Sequence, residues 1–270
     1  MGPILVTGGT GHLGRDLVSF LKADGHRVRV LARTPGRDPA VEWVQGDLGT
    51  GRGVAEAVAG VQTIVHAATS SPMARRGGPR PVDFFRTPTE VDVEGTRRLL
   101  NEARRAGVGH FLHVSMVGLE HLARLPYARV KLAAEDLVRE SGVPWSIARA
   151  TPFYWLLDRM LAKNLPRLPV WPLLADLPFQ PVDSKDFSAY LVQCVADGPR
   201  GDRTEFGGPE VMSLGELVKQ YRDARGPRRP ILRLPLPGPT ARAFGAGFTC
   251  PSGRRGRTTW SEWLSQQSRD

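Results

Sequence analysis

The sequence predicts an α/β protein, a doubly wound parallel sheet carrying a small C-terminal lobe. Three observations lead there. Short apolar runs alternate with amphipathic helical patterns through residues 1–150. A glycine-rich turn follows the first of those runs at once, in "ILVTGGTGHLGR" (4–15). Beyond residue 150 the alternation dissolves into proline-dotted stretches and separate helical pieces. Strands alternating with helices imply right-handed crossovers and a sheet covered on both faces.

In chain order, strands are expected at 4–7, 28–32, 41–45, 63–67, 111–115 and 145–149, with helices near 12–23, 52–59, 90–106 and 126–140. The first helix sets Leu13, Leu17 and Leu21 on one face. The helix at 126–140 opens on Pro126, suited to a first turn, and Gly142 closes it. In the second half, "FQPVD" (179–183) reads as a strand, followed by a helix around 184–197. "SLGE" (213–216) and "TWSE" (259–262) are capping boxes, each opening a helix. The domain reading is a dinucleotide-binding sheet over 1–150 and a lobe over 151–270, with 179–197 returning to the sheet.

Residues 9–14 satisfy G-x-G-x-x-G, and their place between an apolar strand and an amphipathic helix gives the match its weight. Glycines 8 and 11 let the backbone turn tightly and approach a pyrophosphate, and Gly14 lets helix and strand pack closely. Free N–H groups at the helix start then favour an anion. This is a Rossmann-type dinucleotide loop. An acidic residue about 20 positions on would bind a free ribose 2′-hydroxyl. Arg33 stands there instead, in "VRVLARTPGR", with Arg37 following. A guanidinium binds a 2′-phosphate that a carboxylate would repel, so NADP(H) is expected over NAD(H).

"PYARVKLAAEDLVRESG" (126–142) puts Tyr127 and Lys131 four apart, on one helical face. With four tyrosines and five lysines in the chain, Tyr-x-x-x-Lys arises by chance about 0.07 times. Ser115 ends a strand twelve residues upstream, at the edge where open α/β sheets bind ligands. A cation beside a phenol favours the phenolate. Tyr127 is thus suited to exchange a proton with a carbonyl or alcohol oxygen that Ser115 holds. Lys131 is also suited to bind the nicotinamide ribose. The competing reading is a Tyr/Lys pair on a solvated helix face.

These residues resemble the short-chain dehydrogenase/reductase superfamily, in its atypical NmrA-like, NAD(P)H-binding branch. "TGGTGHLG" is similar to its T-G-x-x-G-x-x-G turn, which implies cofactor contacts from Thr7, Gly8, Thr10, Gly11, His12, Leu13 and Gly14. "QGDL" (45–48) resembles the segment whose Asp47 and Leu48 line the adenine. "HAAT" (66–69) resembles the loop offering Ala67, Ala68 and Thr69. "SIARATPF" (146–153) is similar to the stretch passing the nicotinamide, and "FGGPEVMSLGEL" (206–217) to a C-terminal segment of such proteins. Two departures stand out. Asp92 replaces the asparagine of a full catalytic tetrad, and Pro152–Phe153–Tyr154 replaces Gln-Phe-His.

Residues 145–179 hold six of the chain's 20 aromatic residues. Phe153, Tyr154 and Trp155 follow a strand whose end faces the nicotinamide, so they are expected to bind substrate. Packing inside the lobe is the alternative. The loop at 69–88, with Arg75, Arg76 and Arg80, is placed to cover the site.

The net charge of +10 comes almost wholly from arginine, clustered at 74–80, 224–233 and 253–257. All three clusters lie in Pro/Gly-rich stretches without stacking aromatics, which disfavours nucleic acid. Solvated loops are the first reading and a patch for an anionic substrate or partner the second. Cys194 and Cys250 match no metal spacing and read as free thiols of a reducing cytoplasm. No run approaches the roughly 18 apolar residues of a membrane span, and no signal peptide is expected. The leading function is an NADPH-dependent reductase of a carbonyl or quinone-like, aromatic small molecule. The alternatives are a non-catalytic NADP(H)-sensing regulator and a non-redox isomerase or dehydratase on the same scaffold.

Overall fold

The computed structural model describes residues 2–70, 88–164, 170–226, 230–234 and 249–267. Arg75, Arg76 and Arg80 of the expected covering loop lie outside them. The first half runs β1 (Ile4–Thr7), α1 (His12–Ala23), β2 (Val28–Ala32), β3 (Val41–Gln45), α2 (Val54–Val58) and β4 (Thr63–His66). A π-helical turn (Glu90–Gly95) leads into α3 (Thr96–Arg105). Then come β5 (His110–Met116), a 3-10 turn (Leu119–Leu122), α4 (Pro126–Glu140) and β6 (Trp145–Ala150). The second half supplies α5 (Tyr154–Asn164), β7 (Trp171–Leu173), β8 (Pro178–Phe179), α6 (Ser184–Asp197), β9 (Arg203–Gly207) and β10 (Met212–Ser213). It ends with α7 (Leu214–Arg225), β11 (Ile231–Arg233), β12 (Arg254–Arg255) and α8 (Trp260–Gln267).

The main sheet has eight strands in the order β12-β9-β6-β5-β4-β1-β2-β3, and every neighbouring pair is parallel. Side chains alternate across it. Ile4 and Val6 face α1 and α6, packing with Leu17, Leu21, Phe187 and Leu191. Leu5, Ile64, Phe111 and Ile147 face the other way, against α2, α3 and α4. Leu17 and Leu21 are fully buried, each stabilising the fold by about 2 kcal/mol relative to an exposed leucine.

Two strands of this sheet come from sequence that gives no strand signal. β9 pairs with β6, and β12 extends the sheet beyond β9. The 253–257 stretch, expected as a solvated loop, is therefore in part an edge strand. Its arginine side chains remain exposed, which hid it from a hydrophobicity pattern. Of "FQPVD", expected as a strand, only Phe179 lies in one, at the end of β8, which pairs antiparallel with β10; Val182 adds one bridge to Phe153. Both capping boxes form: Ser213 with Glu216, and Thr259 with Glu262. The lobe has its own core of Tyr154, Leu217, Tyr221, Trp260 and Trp263.

Candidate active site

The chain proceeds from β1 to β2 on one side and reaches β4 on the other, so a crevice opens beyond their C-terminal ends. Open α/β sheets place ligands at this reversal. The glycine turn fills one wall. Gly8 has φ +76°, and a Cβ there would lie 2.8 Å from the Ala67 backbone. A Cβ on Gly14 would lie 2.1 Å from the Gly8 carbonyl oxygen, so α1 starts in direct contact with the turn. Gly11 precedes α1 without a side-chain cap, and its first turn carries no acid. Its leading N–H groups and positive dipole end are left for an external anion. Thr10, Gly11 and His12 are exposed on this rim, whereas Leu13 and Gly14 are buried. The cradle fits a pyrophosphate.

The remaining expected cofactor residues border the same edge. Thr7 is buried at the end of β1. Ala67 and Ala68 are half-buried and Thr69 exposed, just past β4. Arg33 follows β2 and is exposed. The acid nearest to it in sequence, Asp38, turns away to pair with Lys22 at 2.5 Å. Leu48 is buried beside Gly95, and Asp47 is half-buried with Oδ1 accepting from Gly49 N–H.

Ser115 lies near the C-terminal end of β5, on the face covered by α4, and its buried Oγ has no hydrogen-bond partner among the described residues. Tyr127 sits half-buried in the first turn of α4. Lys131, one turn on, is 5% exposed, with Nζ 5.9 Å from the Tyr127 ring centroid. Its ammonium pairs with Asp92 Oδ1 at 2.8 Å. Asp92 is 2% exposed and also accepts from Thr69 Oγ1 at 2.7 Å and Ser70 N–H at 2.8 Å. Burial opposes the Lys131 charge, but Tyr127, Asp92 and Glu135 outweigh it and hold its pKa above the usual lysine value. Burial likewise opposes the Asp92 charge. Lys131 and the donors from Ser70 and Thr69 prevail, and its pKa is lowered. The acid that replaces the tetrad asparagine is thus the lysine's counter-ion. Sequence reading missed the pair, although an aspartate in a stretch packed on the sheet was its signal.

Beneath this pair runs a buried polar chain. His66 Nδ1 lies 2.6 Å from Thr7 Oγ1, and its Nε2 lies 2.8 Å from Thr96 Oγ1. Thr96 donates its only hydroxyl hydrogen to the Asp92 carbonyl at 2.7 Å. Nε2 must therefore carry the proton and donate to Thr96, while Nδ1 accepts from Thr7. Burial, reinforced by the Lys131 charge, pushes the His66 pKa down to about 4. His113, with ring centroid 5.3 Å from that of His66, has no partner for either nitrogen among the described residues. Burial holds its pKa well below the ordinary value.

A second buried charge ties the elements around the site together. Arg149, on β6 opposite Ser115 in register, is 4% exposed. It donates to Glu135 at 2.9 and 2.6 Å and to Glu120 at 3.0 and 2.7 Å. Glu135 lies on α4 one turn beyond Lys131, and Glu120 in the turn after β5.

The three aromatic residues expected to bind substrate do not act alike. Tyr154 is a correction. It is 1% exposed, packs on Trp260 and Trp263, and donates its hydroxyl to the Thr258 carbonyl at 3.0 Å. It belongs to the lobe core, because the first turn of α5 points it away from the crevice. Trp155 is half-buried and stacks on His12 of the glycine turn, with centroids 4.2 Å apart and planes at 13°. Phe153, also half-buried, lies 6.4 Å from Trp155 and packs against Phe187.

Among the described residues, no helix is long and apolar enough to cross a membrane, and no group of three or more His, Cys, Asp or Glu is placed to hold a metal ion. Residues 8–158 match the NAD(P)H-binding family. The chain is 30% identical over 265 residues to a (4-alkanoyl-5-oxo-2,5-dihydrofuran-3-yl)methyl phosphate reductase of Streptomyces griseus, covering 89% of this chain and 84% of that one. It is 24% identical over 240 residues to a photosystem II assembly factor of Trieres chinensis, covering 86% and 72%. A solved NADPH-dependent quinone oxidoreductase of Escherichia coli, complexed with NADPH, superposes with a TM-score of 0.76 at 17% identity over 98% and 99% of the two chains. At that identity the likeness is one of fold.

Proposed function

The chain belongs to the NAD(P)H-binding family as an atypical, NmrA-like short-chain dehydrogenase/reductase, and from that premise we propose that it is an NADPH-dependent reductase of a carbonyl or quinone-like aromatic small molecule. One observation carries the reading. Ser115 Oγ, unpartnered among the described residues, stands on the sheet face packed by α4, the helix that carries Tyr127 and Lys131. A buried hydroxyl without a partner is costly unless something outside the chain completes it, and a substrate oxygen does so.

The glycine turn would hold the cofactor, with Arg33 available to its 2′-phosphate, and when bound the cofactor would supply the hydride. Ser115 donates a hydrogen bond to the substrate oxygen and fixes its position. Tyr127 gives that oxygen its phenolic proton, completing reduction of the carbonyl to an alcohol. Lys131 remains an ammonium, since Asp92 stabilises its charge, and it serves the phenol and the nicotinamide ribose. Phe153 and Trp155 form an apolar wall at the crevice, suited to a flat, conjugated substrate. The reductase relative supports the class of reaction.

The test follows NADPH absorbance against a panel of quinones, ketones and aldehydes. With the best substrate, Tyr127→Phe should lower kcat by about a hundredfold or more while leaving NADPH affinity unchanged. Normal turnover in that variant would move the proton transfer elsewhere. No turnover of any panel member by the wild type would leave the regulator reading standing.

A further inference from the structure

A pair of stacked rings joins the lobe to the cofactor cradle. Trp155, in the first turn of α5, lies on His12, the first residue of α1, with centroids 4.2 Å apart and planes at 13°. The indole is presented by a fixed frame. Tyr154, just before it, is buried in the lobe core, and its N–H donates to the Val182 carbonyl at 2.9 Å. Phe153 bridges to Val182 and packs on Phe187 of α6. Trp155 itself packs against the lobe core as well as against His12.

His12 stands on the rim where the uncapped N–H groups of α1 suit a pyrophosphate. Its side chain is exposed and makes no hydrogen bond or ion pair with another described residue. Stacking takes up a face of the imidazole, whereas its nitrogens donate in the ring plane. The contact therefore holds the ring without using its donor. Burial first, then Arg15 and Arg159, keep the His12 pKa below the ordinary value, against the opposing charge of Asp16. A neutral imidazole retains one N–H, enough for one hydrogen bond to a phosphate oxygen. A loose exposed ring would lose rotamer freedom in making that bond, and a ring already held would not. Trp155 Nε1 is buried and unpartnered among the described residues, so direct donation by the indole is the competing role.

We propose that Trp155 is a positioning residue for the cofactor, holding His12 in place to donate to the pyrophosphate and so tying cofactor affinity to the lobe. The proposal rests on the cofactor reading of the glycine turn and not on proton transfer from Tyr127. Trp155 also faces Phe153 at 6.4 Å with planes at 15°, so the wall assigned to the substrate and the cradle assigned to the cofactor share this indole.

The test is a double-mutant cycle read by calorimetric binding of ADP-ribose, in its 2′-phosphorylated form if NADPH is the tighter cofactor. This probe carries the pyrophosphate and lacks the nicotinamide. His12→Ala should weaken binding about tenfold, the scale of a hydrogen bond to a charged group. Trp155→Ala should weaken it about two- to tenfold, the scale of an aromatic pair. In the His12→Ala background, Trp155→Ala should change binding by less than about twofold. Trp155→Phe keeps a ring on His12 and should bind within about twofold of the wild type. Circular dichroism checks that each variant is folded, and Trp155→Leu takes the place of Trp155→Ala if the alanine variant is not. Additive losses, or no loss from removing the indole, would overturn the proposal. Equal loss from Trp155→Phe and Trp155→Ala would also overturn it, by assigning the role to the indole N–H. Failure of the wild type to bind NADPH, NADH or the probe would overturn it together with the reductase reading. A protein that binds cofactor with this coupling but turns over no panel substrate would refute the reductase reading alone.

Discussion

Replacing Glu135 by glutamine should destabilise the fold far more than replacing Glu120, although both carboxylates make two hydrogen bonds to Arg149. The difference lies in burial. The Glu120 side chain is 49% exposed and that of Glu135 2%. Around Glu120, water and salt screen the pair, so its loss should cost about 0–1 kcal/mol. Around Glu135, the guanidinium, itself 5% exposed, would lose its buried counter-ion and face an amide N–H₂ instead. Breaking a buried pair typically costs about 3–5 kcal/mol. Glu120 still holds part of the guanidinium, which sets the lower end, about 3 kcal/mol. At roughly 2–4 °C per kcal/mol for a chain of this size, Glu135→Gln should lower Tm by about 6–12 °C and Glu120→Gln by less than about 4 °C. Urea melts followed by circular dichroism, with calorimetric scans in parallel, measure both. Equal losses, or a larger loss at Glu120, would refute the claim that burial decides the strength of this network.

Other outcomes follow from the same geometry. Arg33→Ser should weaken NADPH binding by about ten- to hundredfold and leave NADH binding unchanged; equal weakening of both in fluorescence titrations counts against a 2′-phosphate contact. Stability should fall as pH drops from 6.5 toward 4. The His66 pKa is depressed from 6.5 to about 4 in the fold, so its contribution is fully present above 6.5 and disappears on descending through that window, amounting to about 3 kcal/mol. His113 titrates in the same direction, so His113→Leu should lose stability less steeply over that range in urea melts, and parallel curves would exclude the assignment. Tyr154→Ala should lower stability by about 3–5 kcal/mol as a core truncation, whereas Trp155→Ala should raise the KM for cofactor or substrate. A rise in KM from Tyr154→Ala without loss of Tm would return that residue to the pocket.

The parts of the fold legible in the sequence are those whose signal is local. Each of the first six strands is a short apolar run beside a turn residue or a helix start, and the structure places them within one or two residues of the expected bounds. β9 and β12 escaped because strands at this half-open end of the sheet need no apolar run, and "RTEFG" and "RR" carry charges instead. In the site, Tyr127 and Lys131 were legible from helical spacing alone. The Lys131 counter-ion was not, because Asp92 approaches from another element. Arg149 left a trace in "SIARA", since a cation within an apolar strand demands a partner, but only the fold identifies Glu135. Tyr154 shows the limit of composition: aromatic enrichment marks apolar surroundings equally well for a pocket or a core.

The route of the chain after β6 bears on how such a protein can be taken apart. It leaves the sheet to form α5, β7 and β8, returns as α6 and β9, leaves again for β10, α7 and β11, returns as β12, and departs for α8. The lobe is therefore stitched from three separate excursions, joined by strand pairs β8–β10 and β7–β11. No single crossover point would exchange it for another lobe, because any cut strands a piece of sheet on the wrong parent. A graft of new specificity onto this scaffold has to be made by changing side chains in place, or by moving everything after residue 150 as one inheritance.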